Sequence, residues 1–265
     1  MSSVHILNYE PGRRGGGWTQ ARYLYEGLDC VSYEEADIVL ITGPTMASHD
    51  DVERAKRDGK KIVFRVDNAV RHSRNRGTGM PRMEHFAREA DLVIYQSKWA
   101  RDFLKPFIEK DGPVIINGTD LDKFNSTGRD APGDSYLYIR SSSDEGKQWI
   151  AAWYWFVNNP GVLEIVGQFG PDNLQYNFDF YNSERFVFSG EVQNTSPIYK
   201  RNKHFLYTYL NDACSNTAIE AICSGCEIID VYGMLKTGGA PEIMECKDLS
   251  KERMAKEYME VFNSL

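Results

Sequence analysis

Two α/β domains, each a doubly wound parallel sheet, are the fold class this sequence predicts, on three observations. Short apolar runs rich in β-branched and aromatic residues alternate with longer helical stretches along all 265 residues. The runs are apolar on both faces, as strands sandwiched between helices must be. A polar stretch, Asn-Ser-Thr-Gly-Arg-Asp-Ala-Pro-Gly-Asp over 125–134, breaks the alternation near the middle and reads as a linker.

Taken in order, strands are expected over 4–8, 37–42, 61–66, 91–95 and 113–117 in the first half, and over 135–139, 162–167, 185–189, 204–208 and 227–231 in the second. Helices are expected over 18–28, 81–90, 98–109, 144–158, 215–224 and 250–262. The last carries Met254, Tyr258, Val261 and Phe262 on one apolar stripe. Trp149, Trp153, Trp155 and Phe156 share one helix and read as core. His5, inside the first strand, reads as a packed histidine. The expected domains are 1–128 and 129–265, with the C-terminal helix able to return to the first. In such sheets, ligands sit at the carboxyl ends of the strands.

Composition narrows the functional classes. Apolar residues make up 42% and charged residues 26%, and 38 acids against 31 bases give a net charge of −7. No positive field covers the whole surface, so any nucleic-acid contact needs a local patch. No apolar run approaches the roughly 18–20 residues of a membrane span, and the opening segment is too short for a signal peptide, so a cytoplasmic protein is expected. Its five cysteines are then reduced. Cys223-Ser-Gly-Cys226 lacks a second pair at zinc spacing and lies where small residues pack. Three glycosylation sequons carry no meaning without export.

Three loops have residues suited to binding an anion or a polar ligand. Gly15-Gly16-Gly17-Trp18, after the first strand and before a helix, exposes backbone amides to a ligand. It is not GxGxxG, and no acid ends the second strand, so a dinucleotide is not expected. Arg140-Ser-Ser-Ser-Asp-Glu-Gly-Lys147 follows the first strand of the second half. Arg140 and Lys147 there are suited to a diphosphate, the one as a fork and the other as a point charge. Asp212-Ala-Cys-Ser-Asn-Thr-Ala-Ile-Glu220 opens a helix. Ser215, Asn216 and Thr217 are natural first-turn residues, and Glu220 is able to accept two ribose hydroxyls.

In register, these motifs resemble the GT-B fold glycosyltransferases of the family-4 type. Arg140 to Lys147 resembles that family's Arg…Lys-Gly phosphate motif, although here glycine precedes the lysine and Gln148 follows it. Asp212 to Glu220 resembles its Glu-x7-Glu motif, with Asp in the first place. Gly238-Gly-Ala-Pro-Glu242 matches its Gly-Gly-x-x-Glu turn, Gly16-Gly17 its glycine pair, and Asn117-Gly-Thr-Asp120…Phe124 the segment before its domain crossover. The chain is shorter than most members. The resemblance implies two Rossmann-like domains with parallel sheets facing a central cleft. It also implies transfer of a sugar from a nucleotide diphosphate donor, UDP-linked, with retention at the anomeric carbon. Arg140 and Lys147 would then neutralise the leaving diphosphate, Glu220 would hold the ribose, and Asp212 would face the donor sugar. The nucleotide sugar is the substrate and no cofactor is implied. No metal is expected either, because the one Asp-x-Asp, Asp120-Leu-Asp122, falls in the crossover segment.

On the acceptor side, residues 65–82 contain five arginines (Arg65, Arg71, Arg74, Arg76 and Arg82) and one acid, Asp67, in an acidic protein. They would take a polyanionic acceptor or complete the donor phosphate site. The wording of this segment resembles glycosyltransferases of large tailed phages that add sugars to hydroxymethylated pyrimidines in DNA. That resemblance implies modified duplex DNA as partner and a host-cytoplasm location. Arg71, His72, Arg74, Arg76, Arg82 and Trp18 would form the acceptor surface. Asp67 or His72 would be the acceptor-activating base. The alternatives are a glycan or lipid acceptor, or a nucleotide-sugar-binding protein without turnover.

Overall fold

The computed structural model describes residues 2–13, 15–68, 79–140, 149–167, 184–210, 212–237 and 240–265. It divides into two compact units. Unit 1 comprises Met1–Asp120, Asp212–Ser215 and Gly239–Leu265, and unit 2 comprises Leu121–Asn211 and Asn216–Gly238.

Unit 1 begins β1 (Val4–Ile6), α1 (Gly16–Gly27), β2 (Ile38–Ile41), α2 (His49–Arg57), β3 (Lys61–Arg65), α3 (Gly79–Glu89), β4 (Leu92–Ile94) and α4 (Lys98–Leu104). The strands form a parallel sheet in the order β1-β2-β3-β4. Alternate side chains feed opposite faces. Val39, Ile41, Ile62 and Phe64 pack under α2, α3 and α4, while Ile38, Leu40 and Val63 pack under α1. Helix α2 escapes the apolar-period reading because only Val52 and Ala55 are buried on it, but Ser48 and Asp51 form a reciprocal capping box that starts it.

The strand expected over 113–117 is reduced to a single bridge, Tyr95↔Val114. Beyond Ile115 two successive backbone donors turn to side chains: Asn117 N meets Cys214 Sγ at 3.3 Å and Gly118 N meets Met254 Sδ at 3.3 Å. The helix expected over 98–109 stops at Leu104, since Pro106 has no N–H to continue it.

Unit 2 carries β5 (Ser135–Ile139), α5 (Trp149–Val157), β6 (Val162–Val166), β7 (Phe186–Gly190), α6 (Ser196–Arg201), β8 (His204–Tyr207), α7 (Asn216–Cys223), β9 (Glu227–Asp230) and the short α8 (Met234–Thr237). All five strands lie within a residue of their expected positions. The sheet is parallel with order β7-β6-β5-β8-β9. This is a doubly wound order whose direction reverses between β5 and β8, so a topological switch point falls there. Phe156 is fully buried and Trp155 packs beside it. The Trp149 side chain lies outside the described residues, as does the start of the helix expected from 144.

The stretch expected to be a linker belongs to unit 2. Arg129 donates from Nη2 to the carbonyls of Asn202 (2.8 Å) and Lys203 (3.0 Å), and Lys200 Nζ holds Asn125 Oδ1 and the Thr127 carbonyl. Its polar composition serves those ties, and the division between the units falls at Asp120/Leu121 instead of 128/129.

The chain then returns to unit 1 as α9 (Glu242–Glu245) and α10 (Lys251–Phe262). Met254, Ala255, Tyr258 and Phe262 of α10 pack with Tyr23, Leu24 and Leu28. Gly118 is needed here for its lack of a side chain, because a Cβ would lie 2.4 Å from the Ser250 carbonyl oxygen.

The cysteines are free thiols. Burial pushes the Cys214 thiol up to about 12 and the Cys226 thiol up to about 11, and Cys226 Sγ is bonded to the Tyr199 and Asn202 carbonyls. Both therefore stay protonated near neutral pH. A short alkylation at pH 8 followed by peptide mass spectrometry is expected to label the more accessible Cys246 and to leave Cys214 and Cys226 unlabelled. Rapid labelling of Cys226 would argue for a reactive CxxC pair.

Candidate functional site

Arg140 stands at the carboxyl end of β5, beside the switch point of unit 2. Its amide continues the sheet, donating to the Val166 carbonyl at 2.8 Å, while its side chain is only 9% exposed. The guanidinium carbon lies 5.0 Å from the centroid of the Tyr209 ring. Nε and Nη2 are buried and, among the described residues, have no hydrogen-bond partner. A desolvated guanidinium with unused donors is costly, and a cation–π contact of about 2 kcal/mol offsets only part of that cost. An anionic ligand would satisfy these donors.

The same side chains lead from Arg140 to α7. The Tyr209 hydroxyl donates to the Ile139 carbonyl at 3.2 Å and shares a hydrogen bond of 2.9 Å with Thr217 Oγ1. The Tyr199 hydroxyl reaches the Thr217 carbonyl at 3.3 Å and Glu220 Oε2 at 3.0 Å. Burial, followed by the nearby Glu220 charge, raises the Tyr199 phenol well above its ordinary value, so it remains a donor at any working pH. Glu220 is thus oriented on α7 by a buried hydroxyl while remaining partly exposed. Asn216 and Thr217, at the start of α7, are also partly exposed. Unit 2 therefore gathers a cation, a helix N-terminus and an oriented carboxylate on one connected set of side chains.

In unit 1, Gly16 and Gly17 are the first residues of α1. Their N-cap, Gly15, has φ +125, a conformation open to glycine, and a Cβ at Gly17 would meet nothing within 4 Å. The helix has no side-chain cap and no acid in its first turn, so its leading amides are not shielded by a carboxylate of their own. Trp18 lies next on α1, with the Arg13 guanidinium 5.6 Å from its ring centroid. Asp212 is partly exposed and Ser215 buried, both in the 212–215 segment of unit 1. Asp67 follows β3 and accepts the Asn68 amide on Oδ1 at 2.8 Å.

Two of the five arginines expected to form an anion-binding surface have structural partners. Arg65 is 2% exposed and donates to the Thr42 carbonyl (3.2 Å) and to Asn117 Oδ1 (2.6 Å). Arg82 donates from Nη2 to the Ala47 carbonyl at 2.5 Å and lies over Phe86. Arg71, His72, Arg74 and Arg76 lie outside the described residues, and so do Lys147 and the Gly238-Gly239 pair.

Other motifs take structural roles. Asp120 lies 3.7 Å from Lys251, and Glu242 Oε1 accepts the Lys98 amide at 2.8 Å to start α4. The sequence reading did not find Tyr199. It sits on the short α6, whose only sequence signal is Ser196-Pro197 at its start. Among the described residues no group of three or more His, Cys, Asp or Glu side chains is placed to hold a metal, and no helix is long and apolar enough to cross a membrane.

No protein-family model matches the chain, and no curated protein sequence matches it. Solved structures do. The Anabaena HepE protein in complex with UDP-glucose superimposes with a TM-score of 0.74 at 13% identity, covering 100% of both chains. AviGT4, a glycosyltransferase involved in avilamycin A biosynthesis, gives 0.64 at 15% identity over 100% of this chain and 98% of its own. Sucrose-phosphate synthase from Thermosynechococcus elongatus gives 0.65 at 13% identity over 97% and 82%. At such identities the likeness shows the fold, and that fold is GT-B.

Proposed function

We propose that this GT-B chain is a retaining glycosyltransferase. It would take a UDP-linked sugar and pass the sugar to a hydroxyl group of a glycan or lipid, with no metal on the leaving group. The observation that carries this reading is the buried Arg140 guanidinium, with Nε and Nη2 unpartnered among the described residues, at the switch point of a doubly wound sheet. A departing nucleoside diphosphate is the ligand whose charge grows where those donors are already in place. Lys147 would add a second cation, Glu220 would take the ribose hydroxyls, and Asp212 would face the donor sugar. Gly16 and Gly17 would allow close approach to the amides of α1. The HepE structure, whose ligand is UDP-glucose, supports the donor class.

The acceptor reading follows from the same observations. Arg82, one of the arginines of the expected DNA surface, donates to the Ala47 carbonyl, and Arg65 of the same basic stretch is spent on the Thr42 carbonyl and Asn117. The structural neighbours named above concern sugars and sugar nucleotides, which favours the glycan or lipid class over hydroxymethylated DNA.

The test incubates the protein with a panel of UDP-sugars in EDTA. Oligosaccharide, lipid and hydroxymethylcytosine-DNA acceptors are offered separately, and products are weighed by mass spectrometry. The expected result is a gain of one sugar on a glycan or lipid, indifferent to moderate salt. A gain on DNA nucleosides that falls steeply with salt would restore the nucleic-acid acceptor. UDP binding with no transfer to any acceptor would leave a binding protein.

The Tyr199–Glu220 contact gives a sharper expectation. Tyr199→Phe removes only the hydroxyl that orients Glu220 and is expected to weaken UDP binding about tenfold, a loss of the size of one charge-assisted hydrogen bond. Calorimetric titration checks it. Unchanged affinity would separate Glu220 from the ribose.

A further inference from the structure

Loop 212–215 is held in unit 1 by the side chain and the amide of Asn117. The Asn117 carboxamide is 2% exposed, and three of its bonds are well defined. Oδ1 accepts Arg65 Nη2 at 2.6 Å, while Nδ2 donates to Gln96 Oε1 at 3.1 Å and to the Cys214 carbonyl at 3.0 Å. Its backbone amide also meets Cys214 Sγ at 3.3 Å. Asn117 is itself fixed from behind, because Arg253 of α10 donates to its carbonyl at 3.0 Å and to that of Ile116 at 3.1 Å. Gln96 is anchored in turn on the Val66 carbonyl at 2.7 Å.

Arg65 and Gln96 thus set both ends of one carboxamide, and that carboxamide grips the main chain two residues after Asp212. An apolar contact would allow the loop to slide, but hydrogen bonds to a carbonyl and a sulfur on one residue fix its register.

We propose that Asn117 is a positioning residue for sugar transfer: it clamps loop 212–215 and so sets where Asp212 stands. The inference rests on the reading of Asp212 given above. Arg140, Thr217 and Glu220 belong to unit 2, so nucleotide affinity and turnover should respond differently when the clamp is broken.

The experiment compares Asn117→Ala and Asn117→Asp with the intact protein. Asn117→Asp keeps a partner for Arg65 and turns a carboxylate oxygen toward the Cys214 carbonyl, so it protects the fold while undoing the clamp. In both variants, hydrogen–deuterium exchange at 212–215 is expected to speed up at least about tenfold, with exchange in β1 to β4 unchanged. UDP affinity is expected to stay within about threefold while transfer from UDP-glucose falls at least about tenfold in kcat, the size expected when a reacting group loses its orientation. Combined with Asp212→Asn, neither variant should cost anything further, because both act through the same carboxylate.

Unchanged exchange in a folded Asn117→Asp protein overturns the inference. So does a kcat loss that multiplies with that of Asp212→Asn, and in that case the role of Asp212 stands. Full transfer by Asp212→Asn overturns the reading of Asp212 and the inference together.

Discussion

Arg140→Met is expected to melt at a higher temperature than the native protein while losing sugar transfer. The two effects come from one cause. The native guanidinium is 9% exposed, and among the described residues its Nε and Nη2 have no hydrogen-bond partner and the Tyr209 ring lies against it. Among the described residues no carboxylate offsets the desolvation cost of that cation, so a buried apolar side chain of similar length should be more stable by about 1–2 kcal/mol. Transfer should fall by about 100- to 1,000-fold, the usual loss when one pre-organised donor to a developing charge is removed. Thermal melting and steady-state transfer on the same preparation check both halves. A variant that melts lower and keeps its activity would make Arg140 an ordinary structural cation. Stability withheld at one residue for the sake of a ligand is the physical signature of a site.

Glu164→Ala should do the opposite, weakening the fold before it touches the chemistry. Glu164 lies within β6, 5% exposed, and is bonded to the Arg201 guanidinium, the Ser189 hydroxyl and, at 2.8 Å, Asn202 Nδ2. Burial alone would push its carboxyl up, but these three partners outweigh burial and hold it below the ordinary carboxylate value of 4.5. Removing it takes away one of two acceptors of the buried Asn202 amide and the partner of Ser189 and Arg201, and should cost about 3 kcal/mol, a large share of a typical domain's stability.

The sign of the pH dependence follows. A carboxyl whose folded value is depressed contributes fully above its unfolded value, and that contribution is lost as pH falls through the folded one. The gap between native protein and Glu164→Gln should therefore be widest near neutral pH and should narrow below about pH 4.5. Denaturant unfolding at a series of pH values checks it, and a gap independent of pH would remove the charge from the account. Arg201, with 54% of its side chain exposed, can return to water, so Arg201→Ala should cost less than Glu164→Ala.

These particulars show what the sequence could and could not tell. The strands of unit 2 were legible because runs such as Ser135–Ile139 are apolar on both faces and bounded by polar turns. Their parallel order places the switch point beside Arg140. Arg140 and Glu220 stand out in the sequence because strand ends and helix starts are where such a sheet binds ligands.

Arg65 was misread as part of a basic surface because composition cannot tell an arginine facing solvent from one folded under a sheet end. Its fate depends on Asn117, 52 residues away, and no local pattern encodes that meeting. The polar 125–134 stretch misled in the same way, since the carbonyls that Arg129 binds belong to Asn202 and Lys203. Tyr199 was invisible because its role depends on reaching Glu220 from a different helix. Periodicity reveals what is buried, whereas polar partners are set by tertiary neighbours.

The central claim is that unit 2 holds the diphosphate of a sugar nucleotide through Arg140. The most direct measurement is a pair of titrations in EDTA, UDP against uridine, on the native protein and on Arg140→Met. The account predicts that native protein prefers UDP to uridine by at least about 100-fold, the worth of roughly 3 kcal/mol of charge-assisted contacts to phosphate. Arg140→Met should lose most of that preference. Equal binding of UDP and uridine by the native protein, or a preference that survives Arg140→Met unchanged, would contradict it.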